Sequence, residues 1–388
     1  ENMKVALSVI GKFHTFDLAR ELHQRGMLAG IFTGYPRFKL KGEGLPQELV
    51  KTFPWLQTPY MAMPRKEWLG RRVVSQWEHL NRLTFDRHVA SRLPVCDVFV
   101  GLSSSALHTG VQAQRRGARY VCDRGSTHIR IQDQLLREEH QRWGATYEGI
   151  DPRTIEREEA EYAAADLVTV PSTFNLRSFV SQGVDQAKLR VLPYGVNLSL
   201  FHPTAQPSAG GFDVIFVGGM GLRKGVPDLI KAFEQVQHSR KTLTFVGSWS
   251  PVFVEQLKRL GLWSERYVLK GHVPQAQLKD IMSRAHVMVL PSIEEGLALV
   301  QAQALACGCP VIATTNTGAE DLFEDGQQGY IVPIRQSDLL AQRMQHLADH
   351  PDVRDAMGQS ALQRVKLAGG WHQYGEQAVN IYSSLLQG

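Results

Sequence analysis

Two segments of this 388-residue chain carry residue types and spacings suited to a phosphorylated, hydroxyl-rich ligand. The first is Gly218-Gly219-Met220-Gly221-Leu222-Arg223-Lys224-Gly225, between an apolar run ending at Val217 and a helix-period stretch from Pro227. Small residues let backbone N–H groups approach a phosphate, and Arg223 and Lys224 at a helix start supply a bidentate and a mobile cation. The loop fits neither Gly-x-x-x-x-Gly-Lys-Ser/Thr nor Gly-x-Gly-x-x-Gly, because Lys224 stands where the third glycine would fall, which weakens kinase and dinucleotide readings. The second segment, Pro291 to Pro310, reads as a strand end, an acidic turn at Glu294-Glu295, an Ala-rich helix and a Gly308 stop. Amides expected to be free around Gly296, Leu297, Ala298 and Leu299 make a second anion site. Glu295 and Gln303 are eight residues apart, about two helical turns, which predicts a shared face and a ligand lying along it, bonded through hydroxyls.

Three further loops follow apolar runs. Gly11-Lys12-Phe13-His14-Thr15 connects the first strand to a helix whose expected N-cap is Thr15. Asp123-Arg124-Gly125-Ser126-Thr127-His128 follows Arg119 to Cys122, and a Ser-Thr-His cluster at a strand's carboxyl end suits acid–base or binding chemistry. Lys270-Gly271-His272-Val273-Pro274 follows another strand, and Gln132 to Trp143 reads as an exposed charged helix.

The elements that must position these loops are short β-rich runs alternating with longer helix-period segments, the pattern of parallel sheets with crossover helices. The predicted fold class is α/β. Strands are expected at Val5 to Val9, Ala29 to Thr33, Asp97 to Gly101, Arg119 to Cys122, Leu167 to Val170 and Arg190 to Pro193, then at Asp213 to Val217, Thr242 to Val246, Tyr267 to Lys270, Val287 to Leu290, Val311 to Ala313 and Tyr330 to Val332. Thr204 to Phe212, with Pro207 and the Gly210-Gly211 pair, reads as a linker. The expected domains are 1–203 and 204–370, with a helix over 371–388 that crosses back onto the first. In such sheets ligands bind beyond the strands' carboxyl ends, where all five loops lie.

The glycine loop at 218–225, followed by Glu295-Gly-Leu-Ala-Leu-Val-Gln-Ala-Gln303-Ala-Leu-Ala-Cys-Gly-Cys-Pro-Val311, resembles glycosyltransferase family 4, the retaining enzymes of GT-B fold. Tyr194-Gly195-Val196-Asn197 and Gly318-Ala-Glu-Asp-Leu support the likeness, which extends over nearly the whole chain. It implies two Rossmann-like, doubly wound domains facing across a cleft, the second binding a nucleotide sugar and the first the acceptor. It further implies that Lys224, with Arg223, holds the diphosphate leaving group, that Glu295 meets donor-sugar hydroxyls, and that Gln303 stands where the family's ribose-binding Glu is usual. Gly219, Gly221, Gly296, Leu297, Ala298 and Leu299 would approach the donor, and Gly271, His272 and Val273 its base. Gly11, Lys12 and His14 would meet the donor phosphates and acceptor, and Arg124 or His128 would face the reacting sugar. Two departures stand out: Gln303 is an amide, and Gly219 replaces a phosphate-binding Arg, a role Arg223 can take.

The resemblance implies a retaining, metal-independent hexosyltransferase of polysaccharide biosynthesis, using a nucleotide sugar as co-substrate, UDP being the expected nucleotide, and a glycan, lipid-linked or small-molecule acceptor. The alternatives weighed against it are a GT-B epimerase of nucleotide sugars and a non-catalytic nucleotide-sugar-binding protein. No cofactor or metal is expected.

Composition narrows the classes. Forty-three Lys and Arg against 38 Asp and Glu, 21% charged and 43% hydrophobic residues are ordinary for a globular protein, which excludes disorder, collagen and coiled coil. No run reaches a membrane-spanning length, and the first residues lack a signal-peptide pattern, so the expected location is cytoplasmic. The four cysteines, Cys96, Cys122, Cys307 and Cys309, are too few and irregular for a disulfide framework. Residues 36–92 hold eleven Lys and Arg against five Asp and Glu, with aromatic residues among them, and the stretch 65–77 within this window suits either peripheral contact with an anionic membrane surface or a phosphate-bearing acceptor. Nucleic acid is not an expected partner, since no recognition-helix, zinc or RNA-binding signature accompanies the charge.

Overall fold

A computed structural model of the chain describes residues 2–388; Glu1, the first residue of the expected first domain, lies outside the described residues. Seven strands form the first sheet: β1 Val5–Val9, β2 Leu28–Thr33, β3 Val50–Thr52, β4 Val98–Leu102, β5 Arg119–Asp123, β6 Leu167–Val170 and β7 Leu189–Val191. Six form the second: β8 Phe212–Val217, β9 Lys241–Val246, β10 Val268–Gly271, β11 Val287–Leu290, β12 Val311–Thr314 and β13 Gly329–Val332. All pairings are parallel. Central strands such as β1 and β11 are buried along their whole length, which is why they read as unbroken apolar runs. The edge strand β3 is a three-residue Val-Lys-Thr run with too little pattern to be read in advance.

Helices fill the connections: α1 Thr15–Gln24, α2 Gln57–Ala62, α3 Arg71–Arg92, α4 Leu107–Arg115, α5 Ile129–Arg142, α6 Pro152–Ala164 and α7 Thr173–Ser181 in the first half. The second half adds α8 Val226–Gln235, α9 Pro251–Arg259, α10 Gln275–Arg284, α11 Leu299–Ala306, α12 Ser337–Asp349, α13 Pro351–Ala368 and α14 Trp371–Gln387. The last helix returns to the first domain, where Tyr374, Ala378 and Tyr382 join a core with Phe16, Leu18 and Leu22 of α1. None of the described helices is long and apolar enough to cross a membrane.

Strand order explains where a ligand can sit. The first sheet runs β3-β2-β1-β4-β5-β6-β7 and the second β10-β9-β8-β11-β12-β13, so connections diverge between β1 and β4 and again between β8 and β11. Such reversal points open crevices at the strands' carboxyl ends. In the second sheet that crevice is flanked by the loops 218–225 and 291–298, the two segments singled out by composition.

The two domains are joined by part-buried polar contacts. Arg142 at the end of α5 forms a bidentate pair with Asp228 on α8, at 2.7 and 2.8 Å, and Arg335 donates from Nε to Glu139 at 2.7 Å. Thr173 donates from its amide and hydroxyl to Asp321, at 2.8 and 2.6 Å. The charged helix expected to be exposed is therefore an interdomain strut with Glu139 fully buried, because its countercharges come from α8 and Arg335, distant in sequence.

Candidate functional site

The first glycine loop is held by its backbone. Gly225 caps α8 in the left-handed region at φ +70°, and a Cβ there would stand 2.0 Å from the Pro291 carbonyl oxygen, so only glycine fits. The amide of Met220 donates to Ser248 at 2.9 Å, and the Ile293 amide donates to the Arg223 carbonyl at 2.8 Å. The first bond ties the loop 218–225 to the segment after β9 and the second ties it to the acidic loop, where Arg223 lies against both glutamates and Lys224 against Glu295.

Lys224 Nζ is ion-paired with Glu295, and Arg223 reaches Glu294 at 3.0 Å through Nε and Glu295 at 3.3 Å through Nη2. Ser292 also donates to Glu295, at 3.0 Å. Burial works against the Arg223 charge, but Glu295 and Glu294 more than offset it and raise its pKa above the ordinary arginine value. The result is a compact set of two cations and two carboxylates at the end of β8 and β11.

Glu294, fully buried, is the cross-link between the halves of the molecule. Its carboxylate accepts hydrogen bonds from the Ser126 hydroxyl, from the Thr127 hydroxyl at 2.8 Å and amide at 3.2 Å, and from Gln132 Nε2 at 3.2 Å, all in the first domain. Burial disfavours its charge, yet Arg223, Ser126, Arg124 and Thr127 together hold it below the usual carboxylate range. Beside it Gly296 touches the Gly125 carbonyl so closely that a Cβ would stand 2.1 Å away. Asn175 on α7 completes the contact by donating to the Glu295 carbonyl at 2.9 Å.

Facing this cluster is a cleft of about 1000 Å³ lined from both domains. His14 closes one side: its Nε2 lies 2.5 Å from Asp123 Oδ2, its ring sits 4.3 Å from that of Tyr194, and Thr169 donates to the other Asp123 oxygen at 2.8 Å. Lys12 pairs with Glu43, and Gly11 is fixed by its carbonyl accepting from Thr33 at 2.8 Å. His14, not Thr15, is the N-cap of α1; its side chain makes no cap bond because it is spent on Asp123.

Three expected site residues stand differently from the sequence reading. His128 does not line the cleft: its Nδ1 accepts from the Arg130 amide at 3.2 Å to cap α5, between the rings of Tyr162 and Phe179, and burial pushes its pKa down to about 4. Arg124 lines the cleft but is turned onto Glu158 at 3.1 Å, Gln132 at 2.8 Å and the Thr127 carbonyl at 2.9 Å, so it shapes the 124–127 loop. The helix α11 begins at Leu299, leaving Glu295 on the preceding connector with Gly296, Leu297 and Ala298, and the shared-face arithmetic with Gln303 does not hold. Gln303 is half-buried on α11 and Leu299 lines the cleft. Gly219 lies under Ser248, whose Oγ would be 3.0 Å from a Cβ, and Gly221 faces open space. Gly271 ends the edge strand β10 and His272 and Val273 follow it, with His272 exposed and Gln275, just beyond, on the cleft wall.

Sequence reasoning missed Glu294, Asp123, Gln132 and Glu158 as site groups. The doubled acid at 294–295 and the aspartate ending β5 were visible, but their partners are distant in sequence. The four cysteines are free and three are buried; burial pushes the Cys96 and Cys307 thiols up to about 11, which removes thiolate chemistry near neutrality.

In the basic window 36–92 of the first domain, Phe38, Trp55, Met61, Val73 and Leu80 are exposed. Arg71 there pairs with Glu148 at 2.6 Å, whereas Lys66 stands over the Tyr60 ring at 3.8 Å.

Comparison with known proteins places this geometry. Residues 211–350 match the family described as Glycosyl transferases group 1. A D-inositol 3-phosphate glycosyltransferase of Pseudarthrobacter chlorophenolicus is 28% identical over 240 residues, 57% of this chain and 57% of its own length. A putative colanic acid biosynthesis glycosyltransferase, WcaL of Salmonella typhimurium, is 28% identical over 53% of each chain. The chain thus spans little more than half the length of these curated relatives. Among solved structures, a sucrose-phosphate synthase from Thermosynechococcus elongatus superposes with a TM-score of 0.75 at 21% identity over the whole of both chains. Anabaena HepE in complex with UDP and glucose gives 0.73 at 18% identity, over 99% of this chain and 100% of that one. The chain therefore has the GT-B fold, two parallel α/β domains across a cleft, and its residues 211–350 carry the likeness to group 1 glycosyl transferases.

Proposed function

We propose that this chain transfers a sugar from a nucleoside diphosphate sugar to an acceptor hydroxyl with retention at the anomeric carbon. The observation that carries the reading is the convergence of Lys224 and Arg223 on the carboxyl ends of β8 and β11, where Arg223 lines the cleft beside the second-domain connector 295–298. The match of residues 211–350 and the fold shared with HepE, whose structures hold UDP and UDP-glucose, support it and make UDP the first donor to try.

In this mechanism the diphosphate oxygens displace Glu295 as partners of Lys224 and Arg223. The bond from the anomeric carbon to the phosphate oxygen breaks, and its electron pair leaves with the diphosphate, where the two cations and the loop amides stabilise it. The acceptor oxygen attacks from the same face, and its proton passes to the departing phosphate. Glu295, released from Lys224, orients sugar hydroxyls; Gln303 serves the ribose; Lys12 and His14 stand on the acceptor side. The leaving charge is met by protein cations, so the proposed reaction needs no metal and should be insensitive to EDTA.

Domain closure belongs to the same proposal, since Glu294 joins the donor-side cations to the first-domain loop 126–132. We place the reaction in the cytoplasm, with the basic, aromatic face of 36–92 resting on an anionic lipid surface by charge complementarity. Co-sedimentation with phosphatidylglycerol vesicles that is lost on joint replacement of Arg65, Lys66, Arg71 and Arg72 by Ala supports that placement; binding unchanged by the replacements removes it.

The test is incubation with UDP-, GDP- and ADP-sugars and an acceptor panel, with chromatography of nucleotides and NMR of the new anomeric centre. Release of nucleoside diphosphate with a retained configuration is expected. Conversion of the donor sugar without nucleotide release would instead indicate an epimerase, and donor binding without turnover a binding protein, the reading that Gln303 and Gly219 favour.

A further inference from the structure

We infer that the acceptor carries a phosphate or a comparably compact oxyanion, and that Arg82 with Thr154 forms the subsite that holds it. This rests on the first domain being the acceptor side of the cleft, as proposed above. Five Lys and Arg side chains line the cleft: Lys12, Arg20, Arg82, Arg124 and Arg223. Four of them are neutralised by carboxylates. Lys12 and Arg20 share Glu43, Arg20 also meeting Asp17; Arg124 is on Glu158; Arg223 bridges Glu294 and Glu295.

Arg82 is the exception. Among the described residues it has no carboxylate within 4.0 Å, and its one side-chain hydrogen bond runs from Nη1 to the Thr154 hydroxyl at 2.8 Å. A guanidinium carries five N–H donors in a fixed fork, so Thr154 leaves most of them for a ligand. The bond to α6 holds the half-buried side chain against the cleft wall, which lowers the ordering cost of gripping an oxyanion with two parallel bonds. A solvated surface arginine would show neither the tether nor a place in a cleft whose other cations are all satisfied.

The position of Arg82 on α3 suggests two sources for the oxyanion. Toward its N-terminus the same helix presents Arg72 and the exposed Val73 and Leu80, part of the basic face that meets lipid in the reading above. A lipid phosphate and a soluble phosphate monoester would offer Arg82 the same chemistry.

The experiment is arginine modification of the full chain by phenylglyoxal, followed residue by residue by peptide mass spectrometry. It is run without additive, with inorganic phosphate, and with phosphatidylglycerol or phosphatidylcholine vesicles. Arg82 is expected to react ahead of the ion-paired Arg20, Arg124 and Arg223. Phosphate at about ten times its Kd should slow Arg82 roughly tenfold and leave the exposed Arg266 unchanged. Protection by phosphate assigns a soluble anion; protection by phosphatidylglycerol vesicles alone assigns a lipid headgroup. Reaction of Arg82 no faster than Arg124, or no protection by any of the three, overturns the proposal. UDP-sugar binding to Arg82→Ala is measured in parallel, so that failure of the donor reading is seen separately from failure of this one.

Discussion

Replacing Glu294 by Ala tests whether the interdomain cross-link is a source of stability and of closure. The substitution leaves Arg223 with one carboxylate partner, at 3.3 Å, and removes the acceptor for Ser126, Thr127 and Gln132. Breaking a buried ion pair from one side costs about 3–5 kcal/mol, because the remaining groups stay buried and unpaired. Glu294 is fully buried but the Arg223 side chain is 39% exposed, so water screens part of the loss and the lower end, about 3 kcal/mol, is expected. At about 2–4 °C per kcal/mol for a domain of this size, Tm should fall by roughly 6–12 °C. The assay is thermal unfolding together with hydrogen exchange, where amides of 125–132 should exchange faster than those of the β1–β4 core. A drop below about 2 °C with unchanged exchange over 125–132 would refute the claim that Glu294 joins the domains, since even a single lost buried hydrogen bond costs more than that.

Lys224→Ala should lower the transfer rate by about 10²–10³-fold, the usual loss when one preorganised donor to a leaving charge is removed, and steady-state kinetics with a saturating acceptor measures it. Gly296→Ala places a Cβ 2.1 Å from the Gly125 carbonyl and should cost about 1–3 kcal/mol of overpacking; unfolding by denaturant gives the value, and a wild-type midpoint would contradict the close approach. His128 is depressed by burial to about 4, so the neutral ring's contribution is complete above about pH 6.5 and is lost as pH falls toward 4. His128→Asn, which keeps a side-chain cap for α5, should therefore flatten the fall in Tm between pH 6.5 and 4; parallel curves for the two proteins would reject this role.

The loops at 218–225 and 291–298 stood out by composition, glycines with two cations in one and a doubled acid in the other, each between a strand and a helix, and the structure brings them together at the ends of β8 and β11. The β–α alternation was legible for a similar reason, since strands buried on both faces are short unbroken apolar runs. What escaped depended on partners distant in the chain. The charges of α5 looked like a solvated face, yet Arg142 and Glu139 are matched by Asp228 and Arg335 across the domain boundary. His128 had the right neighbours for chemistry, but Tyr162 and Phe179 enclose it and leave it a cap. The late start of α11 follows from the same cause: Glu294 and Glu295 are committed to Arg223, Lys224 and the first domain, so the chain runs as a connector until Ala298. Edge strand β3 offered three residues and no period.

The proposed donor site at Lys224 and Glu295 is tested most directly by thermal stabilisation with UDP, GDP, ADP and their sugars, with and without EDTA, for the wild-type chain and Lys224→Ala. A ligand selective for the native state raises Tm by mass action. The account predicts a shift selective for one nucleotide, unaffected by EDTA and largely lost in Lys224→Ala. No shift with any nucleotide, or a shift of equal size in the variant, would contradict it.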